Sequence, residues 1–337
     1  MYWYESEPRG NGCVLSTRVR FARNLEGVPF PARLPEPDAV ALFERVREAF
    51  GEYRPMAIPF GEAEDVVKNT YVQTHLASRE LAAKGAGSGL LLSREGDVAV
   101  MVNEEDHIRL QVIRAGRDVE GAMAKAKEWM KKGEERLPIA YRDGLGYLTA
   151  CPTNLGSGMR LSVMIHLPAL TASGAISSLV RRLGDLGFVV RGLYGEGTGS
   201  GGDVYQISNQ GGREKSPDEI ASVFSSVLDR VEEWERSAAE RLLKEDRLGW
   251  EDRILRALGT LKYARKMSYS EFMKLYSLVR FGREREIVGT EHVGVLDRVM
   301  VEVLPAPMIL RDRTLTDPAD RDAKRSERIR EALCRKE

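Results

Sequence analysis

The sequence predicts an α+β chain in which a strand-rich domain is followed by a purely helical one. Up to about residue 240, apolar and polar residues alternate at strand period between helical stretches, and from about Leu243 onward only helical periodicity remains. The chain has 337 residues, more than an average single domain, so a large core with a smaller companion is expected, divided as 1–240 and 241–337.

Charge excludes several function classes. Lys plus Arg equals Asp plus Glu at 51 each, so the overall balance points neither to nucleic acid nor to an anionic membrane, and any cationic site must be local. No apolar run reaches the length of a membrane span, and Met1-Tyr-Trp-Tyr-Glu5 lacks the basic and apolar segments of a signal peptide. The three cysteines, Cys13, Cys151 and Cys334, are odd in number and far apart, which fits a reducing compartment, so a cytoplasmic protein is expected.

Each element follows from local pattern. Ser16 to Phe21 alternates, with Ser16, Arg18 and Arg20 on one face and Thr17, Val19 and Phe21 on the other. Asp38 caps a helix through Leu42, Phe43, Val46 and Phe50, stopped by Gly51. A second helix over Glu64 to Thr74 leads to His75, a lone histidine of the kind that is often structural. Leu90 to Leu92 and Val98 to Val102 read as buried strands delivering Asn103-Glu-Glu-Asp-His107. From there Glu105, His107, Arg109 and Gln111 share one strand face. An acidic run of this kind also suits a solvated turn. Asp118 to Lys132 reads as a helix with Gly133 beyond its end, and Ile176 to Leu183 as another. Phe188 to Arg191 reads as a strand entering a segment with five glycines between Gly195 and Gly202, either a loop that covers a substrate or a plain connector. Ser216-Pro-Asp-Glu219 and Ser268 with Glu271 form capping boxes, and Asp317-Pro318 opens a last helix.

The central stretch is Cys151 to Pro168. Asn154-Leu-Gly-Ser-Gly158 is a turn that lets backbone N–H groups approach an anion, and the strand after it places Arg160, Ser162, Met164 and His166 opposite Leu161, Val163, Ile165 and Leu167. That alternation predicts one buried side, and it equally describes an ordinary hairpin strand with a solvated arginine. Arg18, Arg20, Arg109, Arg160 and Arg191 all stand at or beside strand ends. Guanidinium groups gathered there need a polyanion, and a nucleotide triphosphate suits their forks. No Gly-x-x-x-x-Gly-Lys-[Ser/Thr] segment exists, and Tyr141-Arg142-Asp143 is not followed by Asp-Phe-Gly. P-loop and eukaryotic-type kinases are thereby excluded.

Ser16-Thr-Arg-Val-Arg20, Asn103 to His107, Cys151-Pro-Thr-Asn-Leu-Gly-Ser-Gly-Met-Arg160 and Arg191-Gly-Leu-Tyr-Gly-Glu196 resemble, in order, the motifs of the phosphagen (guanidino) kinase catalytic domain over roughly residues 14 to 240. Within that superfamily the chain resembles the bacterial McsB-type protein-arginine kinases. It shows no preceding helical domain of the creatine and arginine kinase type, its Arg191 motif has the bacterial form, and a helical domain follows.

The resemblance implies a large antiparallel sheet flanked by helices, of guanidino kinase and glutamine synthetase type, followed by a small all-α domain that binds phosphoarginine and dimerises. It implies an ATP site made of Ser16, Thr17, Arg18, Val19, Arg20, His75, Arg109, Arg160, Leu161, Ser162, Val163, Met164, Arg191, Gly192, Leu193, Tyr194, Gly195 and Glu196. It implies Glu105 and Glu196 as catalytic carboxylates, with Cys151 near the guanidinium. A free cysteine is otherwise commonly a small buried hydrophobe. It implies Mg²⁺ carried on the ATP phosphates, with no metal-ligating residues of the protein itself. Arg321-Asp322-Ala-Lys-Arg325-Ser326 resembles the family's phosphoarginine-binding motif, with Ser326 in place of alanine; a charged, solvated helix end is the plain alternative.

A protonated, delocalised guanidinium is a poor nucleophile until it is oriented and loses a proton, and a pair of carboxylates meets that need. The expected activity is ATP-dependent phosphorylation of exposed protein arginines. By family this is linked to stress response, to Clp ATPase-dependent degradation, to a heat-shock repressor and to a zinc-binding activator protein, with a homodimer expected. Phosphorylation of free arginine or another small guanidine is the second reading, and a phosphoarginine-binding regulatory module with little catalysis is the third.

Overall fold

The computed structural model describes residues 2–6, 12–192, 201–211, 215–289 and 293–334. The elements run β1 (Val14–Arg23), α1 (Glu36–Ala49), β2 (Met56–Pro59), α2 (Asp65–Gln73), α3 (Arg79–Ala82), β3 (Gly89–Leu92), β4 (Val98–Val102), β5 (Ile108–Ala115), α4 (Val119–Arg136), β6 (Tyr141–Arg142), β7 (Gly146–Tyr147) and β8 (Met159–His166). They continue with α5 (Pro168–Ala172), α6 (Ile176–Asp185), β9 (Phe188–Gly192), β10 (Val204–Asn209), α7 (Pro217–Glu245), α8 (Arg247–Tyr263), α9 (Tyr269–Glu284), α10 (Val293–Glu302), α11 (Pro305–Arg311) and α12 (Pro318–Cys334). Eight strands form one sheet in the order β2-β3-β4-β5-β1-β8-β10-β9, and β6 and β7 form a separate hairpin. The α+β expectation and the large antiparallel sheet hold: β2–β3, β3–β4, β4–β5 and β5–β1 all pair antiparallel.

The chain divides into two compact units. One comprises Met1–Ser6, Ser16–Ser162 and Ser208–Ser225, the other Glu7–Leu15, Val163–Ile207 and Ser226–Glu337. In the first, β1 and β5 pair with Arg20 opposite Gln111 and Ala22 opposite Arg109. Residues opposite one another in a pleated pair point to the same side, so Arg18, Arg20 and Arg109 share one face. Thr17, Val19 and Phe21 turn to the other face and are buried. There the Thr17 hydroxyl donates to Gly116 O at 2.8 Å and accepts from Asp118 N at 3.1 Å. Asp118 in turn accepts from Gly121 N at 3.1 Å, capping α4 as its position ahead of the apolar stripe predicts.

Three local expectations are corrected. Asp38 does not cap α1: the helix begins at Glu36 after Pro35, and Asp38 falls inside its first turn. Gly133 does not end α4: the helix continues to Arg136, and a Cβ at Gly133 would stand 2.8 Å from the Phe50 ring, so the glycine is a packing notch against α1's last turn. The strand β8 is not buried on one side only. Ser162, Met164 and His166 are 1%, 7% and 0% exposed, because β8 lies inside the sheet and both its faces are covered, leaving Arg160 as its one half-buried residue. The capping box at α7 forms as read, Glu219 N donating to Ser216 Oγ and Ser216 N to Glu219 Oε2, and Ser268 accepts from Glu271 N at the start of α9. Among the described residues no helix is long and apolar enough to cross a membrane.

Candidate active site

Five consecutive residues between β4 and β5 do five different things. Asn103 takes a left-handed conformation (φ 56°) that turns the chain, and its amide donates to Ala39 O and Gly87 O at 3.0 and 2.6 Å. Glu104 points inward, fully buried, and accepts from Ser78 Oγ at 2.5 Å, from Glu105 N at 3.0 Å and from Arg109 Nη1. Glu105 points outward, 40% exposed, and meets Arg109 Nη2 at 3.4 Å. Asp106 is buried again and accepts from Asn24 Nδ2 at 2.6 Å and from Ala150 N at 2.7 Å, which ties the acidic turn to the residue before Cys151. The His107 ring accepts from Leu25 N at its Nδ1, 3.1 Å, and so donates from Nε2 to Pro29 O at 2.8 Å. The turn is therefore pinned on four sides and leaves one carboxylate free to face solvent.

The arginines beside it repel one another. Burial, then the charges of Arg160 and Arg109, lower the pKa of Arg18 to about 10. Burial, then Arg18, Arg109 and Arg160, push Arg20 well below its ordinary value, with Glu104 opposing, and the buried Arg20 Nε has no hydrogen-bond partner among the described residues. Arg109 differs. Burial works against its charge, but Glu104, Glu105 and Asp106 overcome this and raise its pKa. Arg18 Nε donates to Ser162 Oγ at 3.4 Å, and Arg160 Nη2 to Ser208 Oγ at 2.9 Å. His75, left-handed at φ 63°, is pushed down to about pKa 4 by burial and by the Arg18 charge, so its ring is neutral at pH 7. Four of the five sequence-selected arginines thus act on one another, with the selected histidine beside them.

The Glu105 carboxyl is lifted above its ordinary value, chiefly by burial and further by Asp106, Glu104 and Glu80, against the pull of Arg109. A carboxylate so lifted is a stronger proton acceptor. Cys151 is half-buried, its Sγ 2.9 Å from Thr153 Oγ1. Thr17, Val19 and Leu161 are buried, and the Thr17 and Val19 side chains point away from the arginine face. Arg191 is exposed near the end of β9 and Gly192 is buried, both in the second unit, where Val163 and Met164 are also buried. Leu193, Tyr194, Gly195 and Glu196 lie outside the described residues.

At the far end of the chain, Arg325 is 2% exposed and donates to Val303 O at 3.1 Å, to Met267 O at 2.9 Å and to Asp322. Arg321 donates to Leu315 O at 3.1 Å and to Thr316 O. Reading the sequence alone missed Glu104, Ser78, Asn24 and Asp106 as the frame of the acidic turn. The signal was the run itself, since consecutive acids on an extended segment must split between two sides.

Residues 41–238 match the profile of the ATP:guanido phosphotransferase C-terminal catalytic domain. The strand face of mutually repelling arginines beside an outward glutamate accordingly sits in a guanidino phosphotransferase, a class of enzymes that move phosphoryl groups between ATP and guanidines. Residues 247–337 match the protein-arginine kinase McsB C-terminal domain. The protein-arginine kinase of Halothermothrix orenii is 37% identical over 98% of this chain and 96% of its own length, and that of Caldanaerobacter subterraneus subsp. tengcongensis 38% identical over 96% and 98%. The chain belongs to the protein-arginine kinase family. Among solved structures, the duplicated taurocyamine kinase from Schistosoma mansoni with bound transition-state-analogue components superposes with a TM-score of 0.58 at 26% identity, covering 65% of this chain but only 32% of its own. Lombricine kinase, at 23% identity and a TM-score of 0.57 over 69% and 72% of the two chains, shares the fold.

Proposed function

We propose that this enzyme transfers the γ-phosphoryl group of ATP to arginine side chains of proteins, giving phosphoarginine. The observation that carries the reading is the set of Arg18, Arg20, Arg109 and Arg160 beside an outward carboxylate, in which the neighbouring charges lower the proton affinity of Arg18 and Arg20. Such a set is stabilised by a triphosphate and poised to neutralise the charge of a loose phosphoryl transition state. The family resemblance assigns Arg191 to the same nucleotide, and His75 and Ser162 line the edge of the arginine set. Glu105 takes the proton from the incoming guanidinium as its nitrogen attacks the γ-phosphorus, with Glu196 as second carboxylate and Cys151 tuning the acceptor site. Among the described residues no three His, Cys, Asp or Glu side chains group to hold a metal ion. We take Mg²⁺ to travel on the triphosphate, where it would supply charge neutralisation.

Beyond the reaction, we assign residues 1–240 to catalysis and 241–337 to regulation and dimerisation. Asp322 and Arg321 recognise phosphoarginine if Asp322 exchanges its bond to Arg325 for the ligand's guanidinium. Leu248, Leu255 and Tyr263 expose one face of α8 at 78%, 51% and 79%, and open space surrounds Gly259 between them, which suits helix-on-helix contact with a second copy. Stress response, Clp-dependent degradation, a heat-shock repressor and a zinc-binding activator enter as family links, with the cytoplasm as the compartment. Mass spectrometry after incubation with ATP and a protein acceptor is the test: an acid-labile gain of one phosphoryl group on protein arginines supports the reading. Transfer only to free arginine moves it to a small-guanidine kinase, and intact phosphoarginine binding without transfer moves it to a regulatory module.

A further inference from the structure

The arrangement of Glu104, Glu105 and Arg109 contains an exchange that the reaction can use. Arg109 is held by two carboxylates through two different nitrogens. Nη1 goes to Glu104, which is 0% exposed and braced by Ser78 Oγ at 2.5 Å and by the Glu105 amide at 3.0 Å. Nη2 goes to Glu105 at a long 3.4 Å, across a contact whose acid is 40% exposed. The first attachment is buried and braced twice, and the second is long and open to solvent. Charge-assisted bonds strengthen as they shorten and dry out, so the two halves of the fork are unequal. An arriving triphosphate competes with the weak half and leaves the strong one in place.

We propose that Glu104 is a positioning residue that fixes Arg109 by Nη1, so that Nη2 passes from Glu105 to the triphosphate and the base is released to the substrate guanidinium only once nucleotide is bound. The inference rests on the arginine-kinase reading above. Without Glu104 the whole guanidinium fork turns to its other carboxylate, and Glu105 stays paired. Ser78 serves the same end at one remove, since its hydroxyl also caps α3 by accepting from Leu81 N at 3.0 Å and so ties the inward acid to a separate element.

Glu104→Gln in the full-length enzyme tests this. Ionised Glu105 is the working base, so kcat/KM falls as pH drops through its pKa. Arg109 pulls that pKa down, while Asp106, Glu104 and Glu80 push it up. Removing the Glu104 charge and handing Arg109 to Glu105 act in the same direction, so the acid limb of the pH profile moves to lower pH. The expected result is that shift together with a fall in kcat of about tenfold to a hundredfold, and a smaller change in KM for ATP. Unchanged kcat, or a lower kcat with an unmoved acid limb, overturns the proposal. Should Glu104→Gln fail to fold, Ser78→Ala, which removes one brace, must show the same shift in smaller measure, and an unmoved limb there overturns it equally. Wild-type protein that makes no phosphoarginine in the same assay removes the parent reading and this one together, whereas normal wild-type turnover beside an unaltered variant removes this one alone.

Discussion

Two arginines sunk into this protein are treated in opposite ways by their surroundings. Arg20, on β1, is pushed well below its ordinary pKa by burial and by Arg18, Arg109 and Arg160, and its Nε has no partner among the described residues. Arg280, on α9, is 5% exposed, yet its pKa is raised, because Asp297, Glu284 and Tyr276 outweigh the burial that opposes its charge. Its guanidinium donates to Asp297 at 3.3 Å, to Gly12 O at 3.1 Å and to Glu284, and lies 3.3 Å from His166 Nδ1. His166 Nε2 meets Ser277 Oγ at 2.8 Å, and Ser277 donates to Asp203 at 2.6 Å. One arginine has its counter-charges built into the chain; on the reading proposed above, the other receives them from the triphosphate. A charge that the fold leaves uncompensated marks a place where the fold is incomplete without its substrate.

Predictions that sharpen this contrast fall in order of size. Glu105→Gln keeps the arginine set intact but removes the proton acceptor. ATP binding is retained and phosphoryl transfer drops by about 10²- to 10⁴-fold, checked by nucleotide titration and single-turnover transfer. Unchanged turnover removes Glu105 from the role of base. Arg280→Met leaves the half-buried Asp297 and Glu284 without their buried cation and costs about 3 kcal/mol of stability, read from urea unfolding. A loss below 1 kcal/mol would mean the network is not the tie described here. The smallest effect is on His75. Its ring titrates near pKa 4 in the free enzyme, below the ordinary value of 6.5. Its contribution to stability is therefore present above pH 6.5 and is lost as pH falls from 6.5 through 4. Bound ATP offsets the Arg18 charge and moves the His75 titration upward, visible by NMR, and a titration that ATP leaves in place would separate His75 from the nucleotide site.

Much of this contrast is legible in the sequence. Strand period alone put Arg18 with Arg20 on one face, and register then brought Arg109 to the same side of the sheet; Glu105, expected on the Arg109 strand face, lies instead in the turn before β5 and meets Arg109 from there. The capping boxes at Ser216 and Ser268 were readable because they depend on residues three apart. What depends on distant neighbours was not. Gly133 carries the local mark of a helix stop, and only the Phe50 ring makes it a notch. His166 was read onto the polar face of β8 because its fate is decided by Ser277 and Arg280, more than a hundred residues later. The inward turn of Glu104 has the same origin in Ser78, since two neighbouring acids look alike until one finds a buried donor.

The central claim is that Arg20, repelled by its neighbours on β1, β5 and β8, gains its counter-charge only when a triphosphate arrives. Thermal unfolding of Arg20→Met with and without ATP tests it most directly. Without nucleotide the variant should unfold at or above the wild-type midpoint, because a repelled guanidinium has been replaced by an apolar chain of similar length. Added ATP should raise the wild-type midpoint and barely move the variant's. A variant that is destabilised without nucleotide, as Arg280→Met is expected to be, or that gains as much from ATP as the wild type, would contradict it.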